Sequence, residues 1–150
     1  MRSVVLSVLL GIGVYGADII NLVTLLDRNE TESFIAQVKS VDEANAMRPD
    51  NNKTILMYAC WIGNEQAVRH LILKGSDVNV QDAGGATALH LAAWKGHTTI
   101  GVYLLQNGAS TALLSKEGMS ALDIALMKNN TDLATAIEKS APKLKSLLGQ

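Results

Sequence analysis

The chain has 150 residues, a formal net charge of -1, 48% hydrophobic residues and only 4% aromatic ones. That length fits one domain, and so few rings imply a core of Leu, Ile, Val and Ala, which suits close-packed helices better than a β-sandwich. The near-neutral charge leaves no electrostatic footprint for nucleic acid, and the single cysteine, Cys60, excludes an internal disulfide and a zinc site built on paired cysteines.

Residues 1–16 stand apart in composition. Arg2 precedes an apolar run from Val4 to Val14, and Val14 and Gly16 occupy the small-residue positions before a cut after Gly16. Basic, apolar, small-residue site is the order of a secretory signal peptide. The run falls short of the roughly 20 residues of a membrane span. Gly11, Gly13 and Gly16 disfavour the alternative, a buried first helix. The expectation is export to the periplasm or the medium after cleavage near Gly16, without stable membrane insertion. A buried thiol at Cys60 is compatible with that setting.

From Ala17 the pattern is helical, with Ile19, Ile20, Leu22, Val23, Leu25 and Leu26 on a three-and-four spacing. Arg28-Asn29-Glu30 breaks it. Thr31, with Glu32 behind it, reads as the N-cap of a second helix through Phe34, Ile35 and Val38. Val41 to Asn52 reads as a polar connection, with Pro49 marking where any helix has stopped.

A repeat then sets in. Thr54, Thr87 and Ser120 are 33 residues apart, as are Leu56, Leu89 and Leu122, and Ala59, Ala92 and Ala125. Each hydroxyl is placed to cap a first helix, which carries the small residues Ala59, Cys60, Ala92, Ala93 and Ala125. Gly63 and Gly96 supply the turn into an outer helix. The outer helices carry Ala67, Val68, Leu71 and Ile72, then Ile100, Leu104 and Leu105, then Leu133 and Ile137. The boundaries are a cap at 17–48, repeats at 49–81, 82–114 and 115–141, and a tail at 142–150. Polar Glu138 and Lys139 replace the apolar Ile72-Leu73 of the first repeat, as a C-terminal capping unit requires.

The stretch Asp82 to His97, D-A-G-G-A-T-A-L-H-L-A-A-W-K-G-H, with its 33-residue period and the G-S-D-V-N and G-A-S-T endings, resembles the ankyrin repeat. The family's T-P-L-H opening is altered: Ile55, Ala88 and Ala121 stand at the proline, and the histidine survives only as His90, with Met57 and Asp123 elsewhere. The resemblance implies an all-α solenoid of stacked helix-turn-helix units, three recognisable repeats following a degenerate N-terminal cap. It also implies non-catalytic protein binding.

Candidate sites divide accordingly. His90 and His97 fall where the ankyrin pattern itself favours histidine for hydrogen bonding between units, and His70 has no partner at metal-ligand spacing. There is no G-x-S-x-G, phosphate loop or H-E-x-x-H, so no enzyme, cofactor or metal is expected. Cys60 aligns with Ala93 and Leu126 as a packing position. Asn29-Glu30-Thr31, Asn52-Lys53-Thr54 and Asn129-Asn130-Thr131 match the glycosylation pattern.

The informative residues are Trp61 and Trp94, one repeat apart, with Met127 at the next step. The resemblance places them at the ends of inner helices, facing the concave groove. Ile62, Lys95 and Lys128 form a second column. The turn tips add Asp50, Asn51 and Lys53, then Ala83, Gly84 and Ala86, then Lys116, Glu117 and Met119. Large apolar side chains in register on a partly exposed surface form a hot-spot pattern; the structural alternative is that tryptophan here only covers helix ends. The expected function is binding of a protein partner by a monomer in an exported compartment, as an inhibitor or immunity protein or an accessory chaperone. A small-molecule or haem carrier using the same groove is the alternative.

Overall fold

In the computed structural model, which describes residues 17–141, the three hydroxyls of the repeat do what their spacing predicts. Thr54 accepts from the Met57 N–H, Thr87 from His90 and Ser120 from Asp123, and each opens an inner helix. The residue at the third helical position decides how completely the end is capped. His90 and Asp123 reach back to the N-cap backbone and complete a capping box, while the Met57 side chain has no polar atom to do so.

Nine helices run through the described residues: α1 Ala17–Asp27, α2 Thr31–Gln37, α3 Val41–Ala44, α4 Ile55–Ile62, α5 Glu65–Leu73, α6 Ala88–Lys95, α7 Thr98–Gln106, α8 Ala121–Met127 and α9 Thr131–Ser140. They form two layers. The inner layer stacks α1 on α4, α4 on α6 and α6 on α8; the outer layer stacks α2, α5, α7 and α9 in the same order. Among the described residues the only bridge is Met47 to Thr54, antiparallel, and no helix is long and apolar enough to cross a membrane. The expected signal peptide at 1–16 and the tail at 142–150 lie outside the described residues.

The core runs along the seam between layers. Phe34, Leu56, Ala59, Cys60, Leu71, Leu89, Ala92, Ala93, Leu104, Ala125 and Leu133 are all fully buried. Burial pushes the Cys60 thiol up, away from the reactive thiolate, so it is packing material as its alignment with Ala93 suggests. Small residues also set the spacing of the outer layer. A Cβ at Gly101 would lie 2.5 Å from Leu133 Cδ1, so α7 and α9 approach as closely as they do because position 101 has no side chain.

The cap departs from expectation in two places. The side chain of Thr31 caps nothing. Glu30 holds the N-cap position of α2 without a side-chain bond, and Thr31 Oγ1 instead accepts from Asn64 Nδ2 at 2.7 Å, tying cap to first repeat. The connection after Val38 is also not wholly irregular. Ser40 and Glu43 form a reciprocal capping box that supports the short α3.

The three asparagines of the glycosylation pattern have a structural role. Asn29, Asn52 and Asn129 hold φ of 58°, 56° and 57°, a left-handed conformation that asparagine tolerates better than other non-glycine residues. Asn29 and Asn129 follow the inner helices of the first and last units, where Gly63 and Gly96 stand in the middle ones at φ 88° and 76°. The end units thus keep the repeat's turn with a different residue.

Candidate functional site

The tips come first in each repeat. Asp82 accepts the backbone N–H groups of Gly84 and Ala86 on Oδ1, which folds its tip from within. Neighbouring tips then join by backbone: Ala83 N–H donates to the Asn51 carbonyl at 2.8 Å, and Lys116 N–H to the Gly84 carbonyl at 2.9 Å. Asp50 is bound by Arg48 at 2.8 Å. The Ser115 hydroxyl beside Glu117 holds that carboxyl below its ordinary range. Ala86 and Met119 are half-buried against the core, whereas Asp50, Ala83, Gly84, Lys116 and Glu117 are exposed and Asn51 and Lys53 half-buried.

The third tip covers the start of the preceding inner helix. His90 is buried, with its Nε2 donating to the Met119 carbonyl of the next tip at 3.2 Å and its Nδ1 accepting from the Thr87 N–H. One helical turn further on, at i+4 on the same face, stands exposed Trp94. One stripe of this inner helix is therefore core at its start and surface at its end. Trp61 and Trp94 are 41% and 43% exposed, and Met127 is 51% exposed. Ile62, expected beside them, is instead half-buried and packed on the core.

The lysines are not a separate column. Lys95 Nζ lies 4.7 Å from the centroid of the Trp61 ring, and Lys128 Nζ lies 3.8 Å from that of Trp94. Each ammonium therefore reaches back one repeat and stands over the previous indole. Lys53 Nζ, from the first tip, is 6.0 Å from Trp61. Such contacts stabilise by about 0.5–1 kcal/mol each at exposed sites. Trp61 with Lys95 and Trp94 with Lys128 thus form two successive rungs of one ladder, and exposed Met127 holds the next repeat position toward the C-terminal end.

The ladder is held from behind. The His97 ring lies against Gly63, where a Cβ would come 2.5 Å from Cε1, and its Nε2 donates to the Trp61 carbonyl at 3.3 Å. His70 Nε2 makes the corresponding kind of bond to the Val38 carbonyl of the cap at 2.7 Å. All three histidines therefore join one unit to the next, and among the described residues no group of His, Cys, Asp and Glu is placed to hold a metal. On the outer face Arg69 stands 4.4 Å from the Tyr103 ring, a pair that repeat spacing did not point to because arginine and tyrosine do not recur there.

Residues 56–144 match the family model for ankyrin repeats, in three copies.

Proposed function

The chain belongs to the ankyrin repeat family, whose repeats mediate protein–protein interaction, and on that premise we propose that it binds a partner protein through the tryptophan–lysine ladder. One observation carries the reading: the chain's two tryptophans lie in register at the ends of successive inner helices, each more than two-fifths exposed. Tryptophan is enriched among the anchor residues of protein interfaces. The stacked units are prebuilt, so little backbone order has to be imposed on binding. Met127 extends the apolar line, and Asp50, Asn51, Lys53, Ala83, Gly84, Lys116 and Glu117 form a polar rim at the tips.

The setting we propose is an exported one, on the composition of residues 1–16, and the role that of an inhibitor or accessory factor acting by occupancy, without chemistry of its own. The haem-carrier alternative has less support. Both ring nitrogens of His90 are engaged, and His70 and His97 commit Nε2 to backbone carbonyls. The test is paired capture from the exported fraction with the wild-type chain and a Trp61→Ala/Trp94→Ala variant. A partner held by the first and lost by the second, then confirmed by titration of the purified pair, supports the reading. A partner held equally by both overturns it.

A further inference from the structure

The inner helices and tips of the three repeats carry four lysines, Lys53, Lys95, Lys116 and Lys128, and four carboxylates, Asp50, Asp82, Glu117 and Asp123. Their states differ. Three of the four carboxylates are engaged within the fold, Asp50 by Arg48, Asp82 by its own tip and Asp123 by its capping box, and Glu117 lies beside the Ser115 hydroxyl. No lysine has a carboxylate within 4.0 Å among the described residues, where Arg48–Asp50 is the one ion pair. Three of the four ammonium groups instead stand over indole rings. Lysine offers three donors and no acceptor, and the indole N–H is also donor only. The ladder therefore presents donors and positive charge along an apolar line, and its complement is a run of acceptors on an apolar stem.

We propose that the ladder takes an acidic peptide segment of the partner, with Asp or Glu side chains on Lys95 and Lys128 and apolar ones between them along Trp61, Trp94 and Met127. This rests on the reading of the ladder as the partner-binding surface. A protein segment fits better than a polyanion. Carboxylates stand among the lysines on the tips and inner helices, and a chain of net charge -1 lacks the continuous basic stripe that a phosphate backbone needs. A peptide can match such a mixed pattern residue by residue.

The test selects binders to the full chain from a random peptide display library and measures the winners by tryptophan emission. Trp61 and Trp94 are the only tryptophans in the sequence, so the signal comes from the site itself. The expected winners are enriched in Asp and Glu and lose affinity about tenfold or more with Lys95→Gln/Lys128→Gln. They should bind less well as salt rises, and Lys95→Arg/Lys128→Arg should restore them. Neutral or basic winners that depend on Trp94 but not on the lysines would overturn the acidic partner while leaving the docking surface standing. An oligothymidylate that binds tighter than any selected peptide would overturn it in favour of single-stranded nucleic acid. Winners indifferent to both tryptophans and lysines, or no winners at all, would count against the surface as well.

Discussion

Lys128 places its Nζ 3.8 Å from the centre of the Trp94 ring, so the third repeat clasps the second outside the core. Lys95 clasps Trp61 in the same way one unit earlier. The tryptophans thus have a structural partner on one side while two-fifths of their surface stays open. Lys128→Ala is expected to change Trp94 emission and to lower stability by no more than about 1 kcal/mol. An unchanged emission spectrum would show that the ammonium does not rest on the ring in solution.

Gly63 and Gly96 occupy the same turn in successive units but meet different surroundings. Both have positive φ, yet a Cβ at Gly63 would strike the His97 ring, whereas one at Gly96 would meet nothing within 4 Å. Gly96→Ala should therefore cost only the left-handed penalty, about 1–2 kcal/mol. Gly63→Ala should cost that and a further 1–3 kcal/mol or so for overpacking. Equal losses in urea unfolding would mean that His97 moves aside freely.

Gly101 and Leu133 offer a test of the outer-layer spacing. A methyl at position 101 overlaps Leu133, so Gly101→Ala should destabilise by about 1–3 kcal/mol. Leu133→Ala alone should cost about 2–5 kcal/mol by leaving a cavity. The double variant should lose less than the sum, because the new methyl occupies part of that cavity. Strict additivity in the double-mutant cycle would contradict the contact.

His90 makes stability depend on pH in a definite direction. Burial pushes its pKa below the ordinary 6.5, with the Met119 carbonyl partly opposing. The unfolded chain therefore takes up the proton first as pH falls. The contribution is fully present above about 6.5 and is lost as pH drops through that value toward the folded one. Protonation also puts a hydrogen on Nδ1, where the Thr87 N–H already points. His90→Gln should unfold more easily at pH 8 by about 1–3 kcal/mol and show a flatter decline between pH 7 and pH 5.5. An equally steep decline in the variant would place the titration elsewhere.

The repeat was legible because its signals are local: a hydroxyl that caps, an alanine that stays slim and a glycine that turns recur at a fixed interval. The end units were harder to read because they keep the geometry and change the residue. Asn29 and Asn129 take over the glycine's left-handed turn, which a motif search reads as glycosylation. The Ser40–Glu43 box was written in the sequence as a hydroxyl and an acid three residues apart, but its neighbours are polar and the helix it starts has only four residues. Trp61, Trp94 and Met127 could be set at one repeat position from their 33-residue spacing alone. That Lys95 and Lys128 stand on the preceding indoles was not readable, since it depends on how far one unit is offset from the next. For Ile62 the partial burial against the core was not legible, because repeat spacing gives a position on the helix and not what packs on it.

The measurement that tests the central claim most directly is Trp94→Ala, read for partner affinity and for thermal unfolding in the same preparation. If the ladder is the binding surface, affinity falls by on the order of 2 kcal/mol while the melting curve stays nearly where it was. If the variant binds its partner normally but melts early, Trp94 belongs to the scaffold and the binding surface lies elsewhere.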